Sequence, residues 1–539
     1  MASLALGMAA CTEADLKNEQ GREPEGKPEE VKSNLTTVNL ATFGADQSRV
    51  KYEGGTRAEE EELKPGDLKL VATIDNPSKK EGFNFNKEEG GRWLSATSIY
   101  QNEETGEYYI TYHMQGNNYN TQLKNDIAGT IQKFTYTNGE VDLGNGFRAE
   151  NPDKEDYDFN HLYFDKLNNR IIAVGHNWKL PSSWNPEEEF TGKKDNTTAI
   201  IGVFNPSTGE FKYSSIQTNE KAYDEEGKSL GYKDAGDANC VINLPNNPDD
   251  KNYYVATRKG LAVLDGNEAN LFKPALNEDG TNYFIPTPGS CKFIYDTKRV
   301  GSMFDVLYLS DERDNEELTY NTSSHAKIAK FQTSGGKAGY YVLINPSAPY
   351  ETFYDSNDLD IVNYGNQLEL PTEIKPIDGK NAFWVNEDYE YYAPLGLNGL
   401  YYKFKGAISG RFYEGVLKFG NRPVNCVTMD INENGETMFV GEEPLSHDGF
   451  IYVANGAKLT ILHRRTMEEI ASYNIPFLDK DGNEVASSAN YIHVQTLPKG
   501  ENGLCERLIT VAFGQAGVKI FRFMPKTKTD WEKEINSFN

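Results

Sequence analysis

An all-β fold, a seven-bladed β-propeller whose N-terminal strand closes the last blade, is what this sequence predicts, and three observations predict it. A strand–turn–strand pair returns seven times along the 539 residues. A shorter strand precedes each pair, with apolar side chains at every second position, the period of a strand rather than a helix. The chain also holds 48 glycines and 32 tyrosines, a bias toward strands joined by many turns.

The pairs are clearest at YYVATRKGLAVLD (253–265), YYAPLGLNGLYYKF (391–404), IYVANGAKLTILH (451–463) and LITVAFGQAGVKIF (508–521). Looser versions with long inserts occupy 108–134, 171–205 and 305–331. The leading strands begin at Asn160, Asn239, Asn381, Asn425 and Asn490, with Thr97 and Cys291 in the remaining two units. A fourth stretch follows most pairs, such as GEFKYSSI (209–216). Four strands per unit and seven units suit radial repetition, which leaves only short, protected sheet edges. Spread over seven units, residues 65–535 exceed the ~40–50 residues of a minimal blade, so the surplus belongs to loops. A pair of β-sandwich domains would not repeat the same leading strand. The last unit has three clear strands, while LKLVATIDN (68–76) precedes the first unit unpaired; that strand is expected to complete blade seven.

Ahead of the propeller, residues 1–11 read MASLALGMAAC, an apolar stretch with small residues before Cys11. This resembles the end of a bacterial lipoprotein signal and implies lipidation of Cys11. Residues 12–64 are rich in Glu, Lys, Pro and Gly, a composition expected to form a disordered acidic tether.

IYVANGAKLTIL resembles the YVTN-type repeat, and GLAVLD and AGVKIF resemble the LVIVD-type repeat, both found in seven-bladed propellers of bacterial surface proteins. With the lipobox-like start, the chain resembles Bacteroidetes outer-membrane lipoproteins. The resemblance implies a lipid-anchored, surface-exposed location, and capture of cobalamin or a similar nutrient for a TonB-dependent outer-membrane transporter.

Composition excludes some functions. A net charge of −26 repels phosphate backbones, and no basic segment with interleaved aromatics offsets it, so nucleic acid is not an expected partner. No GxSxG, HExxH or phosphate-gripping glycine loop occurs, and no catalytic residues are assigned. The remaining cysteines, Cys240, Cys291, Cys426 and Cys505, lack metal-ligand spacing; at equivalent strand starts, the first three read as small buried apolar residues. DINENG (430–435) matches half of a calcium loop, with Asp430, Asn432 and Asn434 as its ligands, but Gly441 stands where the loop requires Glu. A hairpin turn accounts better for its Asn-Gly.

The candidate site rests on loop asymmetry. Between second and third strands, blades three, five, six and seven have tight turns, whereas blades one, two and four carry long inserts, of the kind that are commonly functional. These inserts place Tyr119, Trp178 and Trp184 beside amides and His176; aromatic faces next to amides suit a sugar, a flat cofactor or a peptide. Arg258 and Lys259 in the short blade-three turn offer a seat for an anionic group, and Asn398 adds a polar contact. Asn160, Asn239, Asn381, Asn425 and Asn490 either bond their own backbone turns or ring the channel mouth. The function expected is ligand capture; a protein-docking scaffold and a glycan-active lyase or hydrolase are the alternatives.

Overall fold

The computed structural model describes residues 35–53, 63–77, 93–102, 105–115, 129–150, 155–165, 167–179, 197–243, 251–268, 271–277, 279–286, 290–295, 305–311, 327–332, 339–344, 352–355, 361–362, 383–385, 390–394, 399–405, 412–420, 422, 424–429, 450–463, 467–474, 489–501, 504–513 and 516–525. Within them lie seven antiparallel sheets of four to six strands and one separate two-stranded ribbon. The seven sheets are the seven repeat units in chain order, and the fold is an all-β propeller.

Blade six shows how the repeat folds. Phe450–Asn455 is buried throughout, Gly456 turns the chain with φ +62°, and Lys458–His463 returns with Asn455 opposite Lys458. Both strands read as near-continuous apolar runs because neighbouring blades cover both faces. In blades three and seven the third strand opens on Gly260 or Gly517, and in blade five Gly399 stands just before it; an added Cβ at Gly260, Gly399 or Gly517 would lie 2.2, 2.2 or 2.0 Å from a carbonyl oxygen of the neighbouring outer strand. Their φ values of +149°, +102° and +78° also suit glycine alone.

The innermost strands follow one another around the ring. That of blade seven (Ala489–Lys499) abuts that of blade one (Trp93–Asn102), which abuts blade two (Glu155–Asp165), then blade three (Ala238–Ile242) and blade four (Ser290–Tyr295). Blade six (Val424–Met429) abuts blade seven and the second strand of blade five. Side chains fill the axis at one level: the His161 ring lies 6.1 Å from that of Tyr491, contributed by a blade two places away. Burial lowers the His161 pKa to about 4, so the ring is neutral. Cys240 and Cys426 are buried free thiols, as expected of small apolar residues, and burial pushes Cys426 up to about 12.

The ring closes as the sequence predicts. Leu68–Ile74 pairs antiparallel with Gly517–Phe523, Ile74 opposite Val518 and Leu68 opposite Phe523. The tether, however, does not extend to residue 64. Thr36–Asn39 adds an outer strand to blade two, Ala41–Phe43 to blade one and Val50–Tyr52 to blade seven. Residues 36–52 therefore form a strap that visits three blades in reverse order. Leu40 is buried between blades one and two against Phe147 and Phe204, and Arg49 donates to Asp75 O of blade seven and to Gln132 Oε1 of blade one. A polar segment folds here because the open blade edges supply hydrogen-bond partners, with few apolar contacts needed. Residues 1–34, with Cys11, lie outside the described residues.

Blades two and three are riveted at the end of the turn between first and second strands. The fully buried Asp165 accepts from Asn243 Nδ2 at 2.8 Å, Arg170 Nε at 2.8 Å, Asn168 Nδ2 at 2.8 Å and the Tyr253 hydroxyl. Arg170 also donates to Tyr253 Oη at 2.9 Å and lies over the Phe272 ring at 5.1 Å.

Candidate functional site

The opposite end of the same seam, where the long connections between second and third strands begin, carries the candidate site. It is built on a bulge. In blade two, Phe159 faces Gly175 and His161 faces Val174, so Asn160 has no partner across the strand pair. The same skip falls at Asn239, Asn425, Asn490 and Thr97. The recurrent leading residue is thus the extra residue of a β-bulge, which bends the inner strand where the channel opens and re-aims the side chain.

The side chain of Asn160 reaches the neighbouring blade. Its amide donates to Asp237 Oδ1 at 2.8 Å and to Ala238 O at 2.9 Å, both in blade three. It thereby bonds the next blade rather than its own turn. Asn239 is half-buried. Asn425 and Asn490 occupy the equivalent bulges, and Asn381 lies outside the described residues.

His176 completes the junction. Its Nδ1 is 3.0 Å from Asp237 Oδ1 and its Nε2 is 3.1 Å from Asp158 Oδ2. Gly175 permits this approach, since a Cβ there would fall 1.7 Å from Asp158 O. Burial opposes a charge on His176, but the flanking Asp237 and Asp158 carboxylates outweigh it and raise its pKa well above the ordinary value. Two carboxylates require both ring nitrogens to donate, which only the imidazolium can do. So held, His176 has no lone pair for a metal or for proton abstraction. It is a cationic clasp between blades.

The rest of the cluster hangs from Asp234 and Asp237. Asp234 Oδ1 accepts from Ala199 N at 3.0 Å and Gly236 N at 2.7 Å; burial raises its pKa, against those bonds and Lys259. Arg258 N donates to Asp237 O at 2.8 Å, and Lys259 Nζ to Asp234 O at 2.6 Å, with Lys259 exposed. Of the residues picked out from sequence, the structure therefore brings together His176, Asn160, Arg258 and Lys259. Trp178 lies on the same strand, opposite Thr197. Tyr119, Trp184 and Asn398, like Asp430, Asn432 and Asn434, lie outside the described residues.

Sequence reasoning missed Asp158, Asp237 and Asp234. A signal existed: an aspartate stands two residues before the bulge Asn in both DFN (158–160) and DAN (237–239), and these are the two blades that the cluster joins.

No family model matches the chain, and no curated protein matches it. Among solved structures, it is similar to Saccharomyces cerevisiae Sqt1 at 10% identity, covering 81% of this chain and 98% of that one with a TM-score of 0.39. It is also similar to a putative 6-phosphogluconolactonase from Bacteroides fragilis at 10% identity, covering 83% and 97% with a TM-score of 0.37. The C-terminal WD40 domain of Sif2 matches at 8% identity, over 80% and 96%, with a TM-score of 0.37.

Proposed function

We propose that this propeller is a binding protein whose working surface is the ring end bearing the His176 junction and the long second-to-third strand connections of blades one, two and four. The observation that carries the reading is the convergence of Asn160, His176, Arg258 and Lys259, from separate strands and turns, in one hydrogen-bonded cluster at that end. Arg258 and Lys259 form a cationic edge on a strongly acidic chain, which suits an anionic group of the ligand. His176, with both nitrogens engaged, supports a binding role over a catalytic one. In the finer form, Cys11 carries lipid, residues 12–34 tether the propeller to the outer membrane, and a small molecule or nutrient held by Trp178, Trp184 and Tyr119 passes to an outer-membrane transporter. The lipobox-like start and the aromatic inserts support this form.

Native mass spectrometry of the purified full chain should show a bound small molecule. Replacing Arg258 and Lys259 with Ala should weaken its binding at least tenfold, as should replacing Trp178 and Trp184, with little change in melting temperature. Unchanged affinity in both double variants would remove the site from this face.

A further inference from the structure

We infer that the hairpin of Gln217–Tyr223 and Ser229–Asp234 is a docking prong that inserts Tyr223 and Leu230 into an apolar, basic-rimmed groove of a protein partner. This goes beyond ligand capture, and its anchors Tyr223 and Leu230 are not among the residues assigned to that site.

The ribbon belongs to no blade. It interrupts the connection between the outer strand of blade two and the inner strand of blade three. Its foot is closed by Ile216 N to Ala199 O at 2.8 Å and Ala235 N to Ile216 O at 3.0 Å, so it rises beside the His176 junction. Most residues from 220 to 233 are exposed. A two-stranded hairpin alone is marginal in water, yet this one is reinforced at its turn. Asp224 Oδ1 accepts from Glu226 N at 3.0 Å and Lys228 N at 2.7 Å, Gly227 takes φ +80°, and Lys233 pairs with Glu220 across the strands. A prong held in shape before binding loses less entropy on docking.

Its apolar side chains point to what it meets. Of the five large apolar side chains exposed among the described residues, Tyr223 at 59% and Leu230 at 66% flank the turn. A third, Leu276 at 58%, sits by its foot, where Asn282 Nδ2 donates to Thr218 O at 3.0 Å. Two exposed apolar side chains beside one turn form an apolar tip suited to an interaction site, and a tyrosine is a common anchor of one. Between the two anchors run Asp224, Glu225 and Glu226, followed by Lys228, a net charge of −2. Three adjacent acids disfavour an anionic membrane or nucleic acid and, at a net charge of −26, a second copy of this chain; they favour basic residues around the groove.

The test places a photo-crosslinking amino acid at position 230 of the full chain in the producing organism, with position 167, an exposed leucine in the turn at the other end of blade two, as control. One adduct is expected from 230 and none of the same mass from 167. The crosslinked partner peptide should come from an apolar segment flanked by Lys or Arg. Glu225→Lys with Glu226→Lys should cut the adduct at least fivefold, and Tyr223→Ser likewise, with melting temperature and small-molecule affinity unchanged. No adduct, an adduct only to a second copy, or a yield indifferent to the charge reversal would overturn the proposal. So would a fall in melting temperature with Tyr223→Ser, which would make the hairpin part of the core.

Discussion

The seam between blades two and three is closed at both ends by aspartates, in two different ways. At one end Asp165 is 0% exposed and its oxygens accept four side-chain donors. At the other, Asp237 keeps 27% of its side chain exposed and shares its Oδ1 between Asn160 and His176, with Asp158 and Asp234 nearby. A buried carboxylate persists only when every lone pair is met. The first end meets that condition and is a rivet. The second is acid-rich, depends on one proton of His176, and is partly exposed. The difference separates what holds the ring from what can respond to its surroundings.

The largest effect should come from breaking the rivet. Asp165→Ala leaves Arg170 buried without its counter-charge and should cost about 3–5 kcal/mol, read as a lowered denaturant midpoint. Asp237→Ala, at the exposed end, should cost less than half as much. Equal losses would erase the distinction.

Next comes Gly175→Ala, which forces a Cβ onto Asp158 O and should cost about 1–3 kcal/mol. It should also separate His176 from Asp158, visible as a shift in the His176 ring resonances. A variant as stable as the parent would mean that Asp158 moves freely.

A pH series sharpens the contrast. The folded-state pKa of His176 lies above its unfolded value of ~6.5. Its stabilisation is therefore complete below about pH 6.5 and is lost as pH rises through the folded value. Relative to His176→Gln, the parent protein should lose stability steadily above neutrality. Parallel pH profiles for the two proteins would show that the clasp does not depend on its proton.

The smallest effect is expected from Lys259→Ala. The exposed amine donates to a carbonyl and otherwise acts on the Asp234 carboxylate through space, so stability should change by no more than ~0.5 kcal/mol while anion binding weakens. A larger loss of stability would assign Lys259 to the seam instead.

Much of the framework was legible without coordinates because it rests on local chemistry. Alternation marked the strands, Asn-Gly and Gly-led turns marked the hairpins, and Leu68–Ile74 lacked any local partner, which left the open edge of blade seven as its place. The strap was not legible. Residues 36–52 look too polar to fold because their order comes from backbone pairing to blade edges: Thr36–Asn39 and Ala41–Phe43 meet strands more than 100 residues on, and Val50–Tyr52 meets Leu68–Ile74, which is itself held by Gly517–Phe523. Half of the site was readable as residue types, His176, Arg258 and Lys259, since loop length and charge are sequence properties. Its aspartates were not, for an acidic chain offers too many carboxylates to choose among.

By itself, then, the sequence determined the repeat, the strand period and the place where the ring closes, because each follows from side-chain periodicity and turn residues within a few positions of one another. Only the tertiary structure decided that the bulge Asn160 bonds the next blade, that His176 is clasped between Asp158 and Asp237, and that a polar leader becomes a strap. Those outcomes depend on which groups the closed ring brings within 3.1 Å of each other, a distance that no spacing along the chain encodes.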